Sequence, residues 1–268
     1  MRIWISRKNF QSPQAPGANS VRWASAPSYV SCETPAGSSA RPLKRPATKF
    51  FGISLLFALA LPAQAEIVTR LPTEAKVVAL TFDACESKTP AFLDHGIADY
   101  LVGEKIPFTI FVTGRFARHN QDALKDLAAH DFVELENHSL DHDNHMERMT
   151  DEQIRHQIAD NETLLADITG RRTRFFRFPA GNHDDRGVAI AESLGYRVVH
   201  WRFPSGDPAK EITATHLQDW VLSQTRPGDV LIFHINGRGW HTAEALPRIV
   251  NELRRRGYRF TTLAEALG

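Results

Sequence analysis

Downstream of residue 75, short apolar runs alternate with amphipathic stretches to the end of the chain. Seven runs, over 77–82, 108–112, 132–136, 174–178, 197–201, 230–233 and 259–262, predict strands. Several are almost continuously apolar, as strands read when both faces of a sheet are covered. Helical spacing fills the intervals. "NQDALKDLAAH" places Ala123, Leu124, Leu127 and Ala128 on one face. "TDEQIRHQIADNETLLADITG" opens on Thr150, a candidate N-cap, and stops at Gly170. "TAEALPRIVNELRRRG" carries Leu246, Ile249, Val250 and Leu253 and stops at Gly257, with Arg254, Arg255 and Arg256 as a solvated helix end. Strand–helix alternation repeated about seven times predicts an α/β fold with a parallel sheet, closed into a barrel or near-barrel.

The polar residues fall at one place in that repeat. Asp83 follows the first strand, and "NHSLDH", from Asn137 to His142, follows the third. Arg177 lies at the end of the fourth, Trp201 ends the fifth with Asp207 soon after, and His234 follows the sixth. The C-terminal strand ends of a βα barrel all open on one face, so these groups can converge there. Singly, each would be a cap or a surface residue; so many ionisable groups at the same end of successive strands point to a site. His138 and His142 stand four apart and share a face if the segment makes a helical turn. Paired imidazoles suit Zn²⁺ and other late divalent metals. His145 shows that the stretch is also simply His-rich, and a polar loop is the alternative.

The first 65 residues read differently. Residues 11–48 are rich in Ser, Pro and Ala without apolar periodicity, and no packed structure is expected of them. Lys44, Arg45 and Lys49 then precede "FFGISLLFALAL" and an Ala-x-Ala site at Ala63 and Ala65, the layout of a secretory leader. The apolar stretch is short of the ~20 residues that span a bilayer. The expectation is a leader region over 1–65, cleavage after Ala65, and one exported domain over 66–268, periplasmic or secreted, with no membrane span after cleavage. With 32 basic and 31 acidic residues, nothing favours a nucleic-acid partner. Cys32 and Cys85 are the two cysteines, too few for a disulfide framework or an all-cysteine zinc site. Cleavage would leave Cys85 as a lone thiol.

"LTFDAC", "NHSLDH", "RFPAG", "GYRVVHW" and "GDVLIFH", in this order, resemble the motifs of the NodB-type polysaccharide deacetylases, carbohydrate esterase family four. The likeness runs from about Lys76 to Leu267. It implies a distorted (β/α)7 barrel, an N-acetylated glycan as substrate, a divalent metal such as Zn²⁺ as cofactor, and a monomer. By the same resemblance Asp83 is the catalytic base, Arg177 its holder, and His138 and His142 metal ligands. His234 becomes the general acid and Asp207 the residue that orients it. Trp201, Trp240 and Pro179 are the expected substrate contacts. Two departures stand out. Pro208 replaces the tryptophan expected after Asp207. Ala84 replaces the aspartate that completes the family's metal triad, which leaves Cys85 or Glu86 as a substitute ligand, a two-histidine site, or no metal. A hydrolase of another C–N bond (deformylase-like), an acetyl-ester hydrolase and a non-catalytic glycan-binding module are therefore alternatives.

Overall fold

The computed structural model describes residues 66–268, so the predicted leader, its cleavage site and Cys32 lie outside the described residues. In chain order the elements are β1 (Val77–Ala84), α1 (His95–Gly103), β2 (Phe108–Val112), α2 (Gly114–His119), α3 (Gln121–Ala128), β3 (Val133–Asn137), α4 (Asp151–Thr169) and β4 (Phe175–Phe176). They continue with α5 (Asp185–Ser193), β5 (Arg197–Val198), α6 (Ala214–Gln224), β6 (Val230–His234), α7 (Thr242–Arg255), β7 (Arg259–Thr261) and α8 (Leu263–Leu267). All seven predicted strands are present and join one sheet, in the order β5-β4-β3-β2-β1-β6, with β7 on the first half of β1. Every strand pairing is parallel. The result is an α/β fold, a curled sheet that makes a distorted barrel.

The fourth and fifth strands are shorter than the sequence predicts, two residues each against five. In β4 the cause is local. The Arg177 carbonyl accepts from the His138 ring, and Pro179 brings no N–H to a ladder. Arg177 N–H still donates to the Asn137 carbonyl of β3 at 3.0 Å, but its own carbonyl serves the site instead of a neighbouring strand.

A segment with no element in the sequence reading closes the gap between the sheet's two ends. Val68 forms a parallel bridge with Val199, just past β5, and Arg70 an antiparallel one with Asp229, just before β6. Val68 N–H donates to the Val198 carbonyl at 2.9 Å, and Leu71 N–H to the Gly228 carbonyl at 2.6 Å. Both side chains are buried.

The largest apolar cluster lies between the sheet and the helices. Leu80, Phe82 and Ala84 of β1 join it with Phe108, Phe116 and Phe233. Leu246, Ile249, Val250 and Leu253 of α7 are fully buried there, as their spacing predicts; each such side chain contributes roughly 1.5–3 kcal/mol. Thr150 caps α4 in a reciprocal capping box with Gln153, and Gly170 ends the helix at φ 68°. Arg255 and Arg256 pair with Glu252 at the exposed end of α7.

Candidate active site

Strand alternation sorts β1 into two faces. Leu80, Phe82 and Ala84 enter the core, while Thr81 and Asp83 turn to the opposite face, with Cys85 next in phase. β1 is central, so Asp83 stands level with Phe111 of β2 and His234 of β6.

Arg177 lies against Asp83 and is wholly buried. Its Nη1 donates to Asp83 Oδ1 at 2.6 Å, its Nη2 to Thr81 Oγ1 at 2.9 Å, and its Nε to the Val199 carbonyl at 3.2 Å. The guanidinium also lies 3.9 Å from the centre of the Phe111 ring. A buried cation this well satisfied is fixed in place, and it fixes the carboxylate. Burial resists ionisation of Asp83, but Arg177, followed by His138 and His234, holds its carboxyl below the ordinary range.

His138 donates from Nδ1 to the Arg177 carbonyl at 2.8 Å, because a carbonyl can only accept. Nδ1 therefore carries a proton, and Nε2 stands 3.5 Å from both Asp83 Oδ2 and Cys85 Sγ. The His138 and His142 rings meet, with centroids 5.1 Å apart. No helical turn brings them together, although their spacing would put them on one face of one. Ser139 (φ 69°) and His142 (φ 54°) adopt left-handed conformations, and the segment doubles back as an irregular turn. Such backbone costs about 1–3 kcal/mol per non-glycine residue.

Of the two substitute ligands that the sequence offers, one converges and the other does not. Glu86 faces away, with Oε2 accepting from Ala91 N–H at 3.0 Å and pairing with His119 Nδ1 at 2.9 Å. Cys85 lies inside the site, buried, with donor atoms of His138 and His142 within 4.8 Å of its own and of each other. It also converges at that distance with Asp83 and His234. Burial opposes thiolate formation, yet His142 and His138 bring the thiol well below its ordinary value.

Opposite lies the second charged pair. His234 Nδ1 contacts Asp207 Oδ1 at 2.9 Å, and His234 N–H donates to Asp207 Oδ2 at 2.7 Å. Ser205 and Thr242 donate to the same carboxylate at 3.0 and 2.9 Å. Burial works against the imidazolium, but the bond to Asp207, followed by Cys85, holds His234 well above the ordinary histidine range. Gly239 makes room for this pair: a β-carbon there would stand 2.7 Å from the His234 carbonyl and 2.8 Å from Asp207 Oδ2.

These groups open into a cleft of about 480 Å³ lined by Asp83, Cys85, His142, Trp201, Asp207 and His234 among others. Trp201 lies in its wall; Trp240 is half exposed with Lys210 above its ring, and Pro179 is buried, and neither lines it. Pro208, where the resemblance leads one to expect tryptophan, lines it too. Thr81, Ser205, Thr242 and Gly239 escaped the sequence reading. Ser, Thr and Gly are common everywhere, and only the fold gives these four their partners.

The chain matches the polysaccharide deacetylase family over residues 70–199. It is 26% identical over 207 residues to a peptidoglycan-N-acetylglucosamine deacetylase of Bacillus cereus, covering 75% of this chain and 92% of that one. Among solved structures it is similar to a mutant of a carbohydrate esterase family 4 pseudoenzyme with restored enzymatic activity: 25% identity, TM-score 0.67, 77% of this chain and 72% of that one. It is also similar to a family 4 acetyl xylan esterase of Clostridium thermocellum in complex with a cobalt ion, at 25% identity and TM-score 0.61, covering 71% and 90%.

Proposed function

Because the chain belongs to the polysaccharide deacetylase family, hydrolases acting on C–N bonds, we propose that it is an exported enzyme that removes N-acetyl groups from an amino-sugar polymer or oligomer such as peptidoglycan, a chitin-like chain or poly-N-acetylglucosamine. One observation carries the reading. An ionised carboxylate fixed by a buried arginine and a histidine held protonated by a buried aspartate face the same cleft, level with each other on adjacent strands.

Asp83 takes the proton from the attacking water, and Arg177 keeps it ionised and aimed. His234 gives its Nε2 proton to the departing amine, because its Nδ1 is held by Asp207. Amide hydrolysis needs both transfers, as an unprotonated amine is a poor leaving group. Trp201 offers the cleft wall on which a sugar ring can lie, and Trp240 and Pro179 play at most an outer part.

Deacetylases of this family are generally metal-dependent, and the residues here fit a divalent metal. His138 has its Nδ1 proton anchored on a backbone carbonyl, which turns Nε2 toward Asp83 and Cys85; ligating histidines are oriented in just such a way. His138 and His142 would hold the ion, Zn²⁺ best suiting paired imidazoles. The chemistry such an ion supplies is acidification of the water toward pKa ~7 and polarisation of the acetyl oxygen.

The test is acetate release from a panel of peptidoglycan fragments, chitin oligomers and poly-N-acetylglucosamine. Asp83→Asn should lower kcat by about 10²–10⁴-fold. Activity within a factor of about ten of the unaltered protein would remove Asp83 from the role of base. Protein recovered outside the cytoplasm should begin Glu66-Ile67-Val68, and retention of "FFGISLLFALAL" would make the apolar stretch an anchor. Ala84 favours a second reading, a metal-independent hydrolase of another C–N bond. Turnover unaffected by chelator on a non-acetyl substrate would establish it.

A further inference from the structure

We propose that Cys85 supplies the third metal ligand, so that the chain carries a thiolate–imidazole–imidazole centre where its family uses a carboxylate. The proposal rests on the reading that His138 and His142 hold a metal, and goes beyond it in naming the donor and the metal class.

Strand phase separates positions 84 and 85. Ala84 has no donor, is wholly buried, and points into the apolar cluster with Leu80 and Phe82. The next residue is in phase with Asp83 and turns into the cleft, so the side chain at 85 reaches what the side chain at 84 does not. Position 85 carries a sulfur. The Asn236 side chain donates to the Cys85 carbonyl and Thr113 Oγ1 to the Ala84 carbonyl, so the backbone behind the thiol is held on both sides.

Distances agree with the assignment. Zinc takes sulfur at about 2.3 Å and imidazole nitrogen at about 2.0–2.1 Å; at a tetrahedral angle those two donors stand about 3.5 Å apart. Cys85 Sγ and His138 Nε2 are 3.5 Å apart. A donor atom of His142 lies within 4.8 Å of both. Asp83 Oδ2 is as close to His138, but Asp83 belongs to no three-donor group with His142, and its other oxygen is held by Arg177. Glu86 is occupied elsewhere.

One thiolate and two imidazoles form a soft, nitrogen-rich set that favours Zn²⁺ over Mg²⁺ or Mn²⁺. Three protein ligands also leave the fourth tetrahedral position open, the arrangement of a catalytic rather than a structural zinc.

The experiment loads metal-free full-length protein with one equivalent of Zn²⁺ or Co²⁺. X-ray absorption of the zinc form should show one sulfur neighbour at about 2.3 Å beside nitrogen neighbours at about 2.0–2.1 Å. The cobalt form should show a near-ultraviolet thiolate-to-metal charge-transfer band. Cys85→Ser should abolish both signals and weaken zinc binding by about 100-fold or more, since loss of even an outer partner costs about 10–100-fold. Cys32→Ser should leave both signals in place. Excess Mg²⁺ should not displace the zinc. Only light-atom neighbours, with Cys85→Ser binding zinc as tightly as the unaltered protein, would overturn the sulfur ligand and leave the two-histidine metal reading standing. No metal uptake by the unaltered protein, with acetate release blocked by alkylation of Cys85, would overturn both and make the thiol a nucleophile.

Discussion

Asp207 has four acceptor positions, and all four are in use. Oδ1 serves the His234 ring and Ser205, and Oδ2 serves the His234 backbone and Thr242. Asparagine would keep the shape but present an amide N–H₂ or a neutral oxygen where the imidazolium needs a charge. Asp207→Asn should therefore lower kcat by about 10²–10⁴-fold. Its effect on the pH profile separates positioning from mere packing. A general acid must be protonated, and Asp207 raises the pH at which His234 loses its proton. The alkaline limb of kcat should lie above the usual histidine range in the unaltered protein. In the variant it should fall toward about pH 6.5. An unmoved limb would relieve Asp207 of this role. At this scale the sequence was most informative: Asp83, Arg177, His138, His142, Asp207 and His234 each stand at or beyond the C-terminal end of a strand, and the fold brings all six together. The choice between Cys85 and Glu86 was not legible. Neighbouring residues past a strand end have no fixed phase until the backbone is known, and only then does one face the site and the other His119.

Among the elements, β3 holds an arrangement that its apolar pattern hides. Glu134 and Glu136, two apart and on one face of the strand, are both turned inward. Glu134 accepts from Thr109 and from the first N–H groups of α8, and Glu136 accepts from Arg174 and Phe175 N–H at 2.8 and 2.6 Å. Burial, and then the neighbouring Glu134, push the Glu136 carboxyl well above the ordinary glutamate range. The native state therefore binds this proton more tightly than the unfolded chain. Its contribution to stability is complete below about pH 4.3 and disappears as pH rises through the raised native value. Glutamine keeps an acceptor for the two N–H groups and carries no charge. Glu136→Gln should unfold at a higher temperature than the unaltered protein in alkaline buffer, with the gap closing as pH falls toward the ordinary glutamate range. A constant offset across pH would show that Glu136 does not titrate in the native state. A strand with acids at alternate positions reads as half-exposed, so this burial was not to be seen from periodicity. The caps of α4 were, because Thr150 and Gly170 act through local geometry alone.

For the whole molecule, the strand count and the parallel order were legible, and the closure was not. The strand patterns of β1 to β7 each carry enough apolar residues to be recognised, whereas residues 66–71 make two isolated bridges with no periodic signature. Leu71, nearly inaccessible, anchors them. Leu71→Ala should cost about 2–5 kcal/mol of unfolding free energy, read as a lower urea midpoint at unchanged slope. A change under about 0.5 kcal/mol would mean that the segment lies on the barrel without holding it.

That segment has a consequence for how the protein fails. Arg70 reaches a carbonyl 157 positions away, at Pro227, so the first folded residues wait for the last third of the chain before they have partners. Until then the backbone groups that the segment pairs, at Val198 and Val199 beside β5 and at Gly228 and Asp229 beside β6, are open together on one molecule. Bare edges recruit edges of other molecules. Damage at residues 66–71 should thus show first as association between copies, with the helices and the cleft still in place.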